Sequence, residues 1–326
     1  MTLSEAIKRD ALALGFQAVG ISRVETGTDD QPIPLPCSLE ARLRDWLARG
    51  HHGLMAWMER DPGRRADPGR VLPGCRSVIS LGMNYYTGHR ADERPGHGRI
   101  ARYAWGEDYH HVLDQRLERL AARIRTLAPA ARTRCYVDTG PVMEKAWAQQ
   151  AGLGWIGKHS NLVSGRYGSW LLLGEILTTL DLPPDEPGTD LCGSCTLCIR
   201  ACPTGAITEP HVVDARRCLS YLTIELPRAG RDIPEEFAGR LGNRIFGCDD
   251  CLDACPYNLQ AVPTVEPAFQ PTPLSLSPDL AALAKMEEGE FTRVLRHSPI
   301  RRSKYSGFLR NVQAAIKNLP SLSAPS

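Results

Sequence analysis

The chain has 326 residues, a formal net charge of +2 and 42% hydrophobic residues, the make-up of a globular protein long enough to divide into two or three domains. No apolar run reaches membrane length, because the best candidate, Ser169–Leu180, is interrupted by Glu175, and so near-neutral a charge does not by itself predict nucleic-acid binding. Eleven cysteines behind a non-secretory start point to a cytoplasmic protein with metal or redox chemistry rather than disulfides.

In chain order, Leu3, Ile7 and Leu14 fall on one side of an amphipathic helix that also carries Glu5, Lys8, Arg9 and Asp10. Ser38 is a candidate cap for a helix that ends at Gly50. Ser77–Tyr86 reads as a strand. Val112, Leu113, Leu117, Leu120, Ile124 and Leu127 give Asp108–Leu127 a helical period. Thr133–Asp138 and Trp170–Leu180 read as strands, with a helical stretch between them at Pro141–Ala151. Helices and strands do not alternate strictly, so an α+β domain with a mixed sheet is expected rather than a doubly wound one. Two proline-rich joints, near 181–190 and 256–279, divide the chain. The expected parts are 1–186 (catalytic), 187–260 (cysteine-rich) and 261–326 (a linker and a short helical element).

Cys192, Cys195, Cys198 and Cys202-Pro203 form C-x2-C-x2-C-x3-C-P, the run of a bacterial two-cluster ferredoxin, whose fourth cysteine serves the other cluster. Iron in a sulfide cubane takes soft anionic ligands, hence thiolates. Cys248, Cys251 and Cys255-Pro256 repeat the last three cysteines of the run, with Ile245 in place of the first. Cys218 is the natural substitute. The crossed assignment gives Cys192, Cys195, Cys198 and Cys255 to one [4Fe–4S] cluster and Cys202, Cys218, Cys248 and Cys251 to the other. Structural zinc is the competing reading, but it uses separated C-x2-C knuckles rather than three-cysteine runs ending in Cys-Pro. Cys37, Cys75 and Cys135 have no partners at ligand spacing and read as core residues.

Gly152, Gly154 and Gly157 match G-x-G-x-x-G, and Gly152–Lys158 matches most of a P-loop. Both nucleotide readings fail on context, since a helix precedes the glycines, strands follow, and His159 stands where Ser or Thr is needed. The glycines are expected to let backbone pass close to a bulky ligand.

Three stretches together resemble the epoxyqueuosine reductase family, which is related to reductive dehalogenases: Arg99–His110 (RIARYAWGEDYH), Asp138–Asn161 (DTGPVMEKAWAQQAGLGWIGKHSN), and the crossed cysteine set with Cys218–Glu225 (CLSYLTIE). The resemblance covers nearly the whole chain. It implies removal of the epoxide oxygen of epoxyqueuosine at the wobble position of tRNA, with cobalamin as the epoxide-attacking cofactor in the first domain and two [4Fe–4S] clusters as electron relay. It implies Asp138 as proton donor, whose pKa would have to rise about three units for it to be protonated near neutral pH. An Asp capping the next helix is the alternative for that residue. Arg102, Tyr103, Asp138, Lys158, His159, Ser160, Asn161 and Ser220, which lie in the matching stretches, and Met58 are the cobalamin-side residues the resemblance implies. Leu113 stands where D-x-H-x-x-G requires its glycine, so no protein histidine is expected beneath cobalt. The implied partners are tRNA and an unidentified low-potential electron donor, for a monomer.

Residues 291–326 carry seven Lys or Arg and no acid. Arg301, Arg302, Lys304 and Arg310, interleaved with Tyr305 and Phe308, suit phosphate contacts and base stacking. Asn311–Lys317 is predicted helical, similar to a HEAT-like element at this end of the family. Two other functions compete: a cobalamin-dependent reductase of a small molecule, which would not bind tRNA, and a non-catalytic iron–sulfur electron carrier, which would not bind a corrinoid.

Overall fold

The computed structural model of the chain describes residues 1–24, 35–226 and 232–319. Helix α1 (Leu3–Ala13) opens on a capping box in which Thr2 and Glu5 satisfy each other's backbone N–H groups. Strand β1 (Ala18–Arg23) follows; no expected element covered it. Helix α2 (Leu35–Ala48) begins three residues before Ser38, so that residue is inside the helix and does not cap it. Strand β2 (Ser77–Asn84) is buried along its whole length. Helix α3 (Tyr109–Leu127) is capped by Asp108, which accepts the His110 N–H, and buries Leu113, Leu117, Leu120 and Ile124 at the expected spacing. Strand β3 (Thr133–Tyr136), helix α4 (Glu144–Gln150) and strand β4 (Leu171–Thr178) complete the first domain.

The main sheet runs β1-β2-β4-β3. Every pairing in it is antiparallel, which corrects the expected mixed sheet; the α+β class stands. The two central strands are covered on both faces and so read as continuous apolar runs. One face packs on α1 and α3 through Ile7, Ile79, Leu81, Leu117 and Ile176. The other faces α4 and Trp147 through Val78 and Leu177. Glu175 sits fully buried in this core. Ser80, opposite it across the strands, donates to Oε2 at 2.7 Å, and burial pushes the carboxyl well above the usual range.

The glycine run 152–157 lies close against the chain itself. A Cβ on Gly154 would meet the Val163 carbonyl at 2.0 Å, and Gly152 takes a positive φ of 77°. Trp155–Ile156 and Leu162–Val163 pair as a small antiparallel ladder. Cys75 is buried and Cys135 packs against the main core; the Cys37 side chain lies outside the described residues.

The C-terminal element is not a detached tail. Helix α5 (Leu219–Ile224) in the cysteine-rich part and helix α6 (Lys304–Lys317) at the end are tied by Asn311, whose side-chain N–H donates to Thr223 O and Ile245 O. Phe308 and Val312 share a core with Ile100, Trp105, Ile245 and Phe246. The strand Arg244–Phe246 pairs in parallel with Arg99–Ile100 of the first domain. Arg102 joins the same junction: its backbone N–H and its guanidinium bind Asp249 at 2.8 and 3.4 Å, and the guanidinium binds Asp253 at 2.6 Å. With the Arg102 and Asp249 side chains 14% and 7% exposed, Arg102→Ala strands a buried carboxylate. The expected loss is about 3 kcal/mol of unfolding free energy, checked by denaturant titration; a loss below about 0.5 kcal/mol would mean that the pair does not hold the junction.

Candidate active site

The floor of a large cavity is built at the end of β3. There the chain turns sharply: Asp138 takes a positive φ of 54°, and Thr139 N–H bonds back to Val137 O at 2.5 Å. Positive φ at a non-glycine is strained backbone that surrounding contacts must hold. Glu144, the first residue of α4, supplies that hold, its Oε1 accepting the Asp138 N–H at 2.6 Å. Desolvation and the neighbouring Asp138 carboxylate push the Glu144 carboxyl up to about 8.

The Asp138 side chain opens into the cavity, 61% exposed. His110 Nε2 lies 3.3 Å from its carboxylate, and His110 Nδ1 lies 2.7 Å from Asp108. Both ring nitrogens are therefore engaged. Burial works against the imidazolium, but the two carboxylates outweigh it and hold its pKa up at about 9. The same bond, against desolvation, holds Asp138 below its ordinary value. The surroundings therefore lower the Asp138 pKa rather than raise it as expected, and favour the charged imidazolium between two carboxylates.

The outer cavity, of about 1110 Å³, is lined by Tyr103, Tyr109, His110, Asp138, Lys145, Ser220 and Tyr221. Its rim is basic, with Arg60, Arg64 and Arg65 from the segment before β2 and Arg296, Arg301, Arg302 and Lys304 from the C-terminal element. An inner pocket of about 260 Å³ shares Tyr103, Tyr109, Asp138, Lys145 and Ser220 with it and ends on Cys248 and Leu252.

The cysteine-rich part folds around two thiol groups. Cys198 and Cys255 interact with Cys192 and Cys195, whereas Cys251 interacts with Cys202, Cys218 and Cys248. Trp155 Nε1 donates to Cys192 Sγ at 3.4 Å and the Ala206 N–H to Cys202 Sγ at 3.2 Å. Such donors favour sulfur carrying negative charge.

The structure sorts the remaining candidates. Tyr103 and Ser220 line both cavities, and Asn161 lines the inner one. Met55 and Trp57, both just before Met58, line the outer cavity where Met58 does not. Arg102 belongs to the junction described above. Lys158 donates to Gly193 O and Cys195 O and braces the first cysteine loop. His159 is buried against Ser169, with burial pushing its pKa down to about 4, so it is a neutral packing residue. Ser160 has a positive φ of 63° and gives its carbonyl to Lys145. Arg301, Arg302 and Lys304 reach the rim, with Arg302 also paired to Glu225 at 2.8 Å. Arg310 instead bonds Leu222 O and Asn311 and serves packing. Sequence reasoning missed Tyr109, His110, Glu144 and Lys145, although all lie in the stretches it singled out.

An eight-cysteine module docked beside a large cavity with an acid on its floor defines an iron–sulfur oxidoreductase. The family model described as "Epoxyqueuosine reductase QueG, DUF1730" matches residues 65–139, and the one described as "4Fe-4S double cluster binding domain" matches residues 191–258. Epoxyqueuosine reductase from Salmonella typhimurium is 44% identical over 322 residues, 98% of this chain and 80% of that protein. The Escherichia coli one is 42% identical over 98% of this chain and 82% of its own length. Among solved structures, epoxyqueuosine reductase with an epoxyqueuosine-modified tRNA-Tyr stem loop superposes with a TM-score of 0.88 at 31% identity, covering 98% of this chain and 82% of that one. The chain belongs to the epoxyqueuosine reductase family.

Two predictions follow from this geometry. His110 should titrate near 9 by NMR in the cofactor-free protein, and closer to its ordinary value of about 6.5 in Asp138→Asn. Because the folded pKa is raised, the stabilisation from this pair is complete below about pH 6.5 and lost as pH rises through about 9. A midpoint near 6.5 in the native protein would refute the pairing. Glu144→Ala should speed hydrogen exchange of the Asp138 amide by about tenfold, the worth of one hydrogen bond. Glu144→Gln, which keeps an acceptor oxygen, should leave exchange slow; equal exchange in all three proteins would show that Glu144 does not hold the turn.

Proposed function

We propose that this chain reduces epoxyqueuosine to queuosine at the wobble position of tRNA, with cobalamin in the outer cavity and two [4Fe–4S] clusters feeding it electrons. The observation that carries the reading is the continuity of the outer cavity, with Asp138 on its floor, into a pocket that ends on Cys248. The cavity exceeds the roughly 300–1,000 Å³ of an ordinary small-molecule site, and its walls suit a large flat cofactor. Tyr103, Tyr109, Lys145, Asn161 and Ser220 would hold it. His110, with both nitrogens engaged, offers cobalt no free imidazole. When bound, cobalamin supplies a strongly nucleophilic metal towards a strained epoxide carbon.

The protein's own residues supply protons and position. A bound cofactor that excluded water from the His110–Asp138 pair would favour its neutral form, imidazole with carboxylic acid. Asp138 is then an acid facing the space where the epoxide oxygen opens. A relative from Bacillus subtilis has been solved with its catalytic aspartate loop swung out of the active site, which supports reading the Asp138 turn as a movable acid. Cys202, Cys218, Cys248 and Cys251 hold the cluster nearer the cavity, and Cys192, Cys195, Cys198 and Cys255 the other. The basic rim takes the anticodon stem-loop phosphates. A reductase of a small molecule would have no use for that rim, and an electron carrier none for the cavity.

Protein reconstituted anaerobically with iron, sulfide and cobalamin should convert epoxyqueuosine tRNA to a nucleoside lighter by one oxygen, read by mass spectrometry. A protein carrying both clusters and a corrinoid absorption band that leaves the nucleoside unchanged would overturn the reading. Cys218→Ser should abolish one cluster's paramagnetic signal and keep the other; two intact signals would remove Cys218 from the ligand set. Arg301→Ala with Lys304→Ala should weaken tRNA binding and lower the slope of log affinity on log salt by about 1 to 2, since each lost phosphate contact removes about 0.7–0.9. An unchanged slope would place the RNA elsewhere.

A further inference from the structure

The cavity side accounts for where substrate enters and leaves open where electrons enter. The two thiol groups are not equivalent in this respect. Cys248, of the second group, lines the inner pocket. None of the first group, Cys192, Cys195, Cys198 and Cys255, lines either cavity. Around that first group the surface is unusual. Leu259, four residues past Cys255, is 88% exposed, Leu191 is 54% exposed and Leu197 is 39% exposed. Two of these segments adjoin, because Tyr257 Oη donates to Leu191 O at 3.4 Å. Tyr257 also packs edge-on against Trp155 at 4.7 Å, and Trp155 donates to Cys192 Sγ. The apolar side chains therefore lie one residue layer from the first thiol group. Leucines in such positions cost solubility and gain nothing in the folded chain alone, which marks an interaction surface.

Three cations surround these leucines. Lys158 is anchored on Gly193 O and Cys195 O, Arg200 lies between Cys198 and Cys202, and Arg166 adjoins the Gly168–Asn258 contact. Among the described residues none of the three makes an ion pair. One acid, Asp190, adjoins Leu191; it accepts the Cys192 N–H at 2.8 Å and lies 4.0 Å from His211, leaving the three cations in excess over it. An apolar centre inside a basic ring selects a partner with an apolar contact spot inside an acidic ring.

We propose that the face formed by Leu191, Leu197 and Leu259 within Lys158, Arg166 and Arg200 docks a small acidic one-electron carrier protein, and that electrons enter the enzyme here. The inference rests on the two-cluster reading. At each docking the carrier loses one electron and the first cluster gains one. Two dockings supply the two electrons which, with two protons, remove one epoxide oxygen as water. The face contributes no residue to the cavity, so carrier and tRNA need not compete.

The test uses the reconstituted holoenzyme and a reduced acidic [2Fe–2S] ferredoxin, with dithionite as a reductant that needs no docking face. Bleaching of the clusters is followed by anaerobic stopped flow. In wild type, the ferredoxin rate should fall as salt rises, because charge steers the encounter. Leu191→Glu with Leu259→Glu places acid against acid at exposed positions, where folding is not at stake. It should slow ferredoxin-driven bleaching by at least about tenfold and weaken ferredoxin binding in calorimetry, while dithionite bleaches both proteins alike. Arg200→Glu should reproduce the effect. Ferredoxin rates unchanged in these variants, with dithionite still effective, overturn the docking face alone. Dithionite bleaching no cluster in wild type overturns the two-cluster reading, and the face with it.

Discussion

The architecture depends on one polar junction. Asp249, Asp250 and Asp253 surround Cys251 in sequence, and Arg99 and Arg102 of the first domain reach across to all three. Arg244, from the strand paired with Arg99–Ile100, binds Asp250 from the other side. Burial pushes the Asp249 carboxyl up to about 6, with Arg102 working against it. The short acidic helix that carries Cys251 is thereby pressed onto the first domain. Without the arginines, the three carboxylates would repel one another at close range. With them, Cys248 is held at the foot of the inner pocket.

That placement brings Cys248 and Asp138 to the lining of one small pocket. On one side stands the second thiol group; on the other stands Asp138 in its strained turn, held from behind by Glu144 and from the side by His110. Under the proposed function, excluding water from this pair would favour imidazole with carboxylic acid over the ion pair, because low dielectric penalises the charges. The acid would then form only once the cavity is filled, rather than being titrated away at the pH of the cell.

The sequence made the cysteine chemistry legible because thiolate ligands obey local spacing, and the helices and strands of the first domain legible because burial imposes their period. Less was visible where a role depends on residues remote in sequence. Arg102 lay in a family-like stretch and was expected at the cofactor, yet its partners, Asp249 and Asp253, are about 150 positions away and draw it into the junction. Arg310 counted as one more cation in an acid-free tail, but α6 packs against α5 and turns it onto Leu222. The mixed sheet failed for a related reason: strand order and direction follow from pairings between β2, β4 and β3 that no local pattern encodes. His110 stands in the incomplete D-x-H-x-x-G pattern, and besides the local Asp108 its partner is Asp138, 28 residues on.

The account's central claim is that the His110–Asp138 pair delivers the proton to the opening epoxide oxygen. Single-turnover reduction of epoxyqueuosine tRNA by Asp138→Asn enzyme, loaded with both clusters and cobalamin and given excess dithionite, tests it most directly. Asparagine keeps the shape of the side chain and has no acidic proton to give. Retained clusters, corrinoid and tRNA affinity with a rate about 100- to 10,000-fold below wild type are the predicted result. A rate within a few-fold of wild type in the fully loaded variant would contradict the claim and move the proton source to solvent or to another group in the cavity.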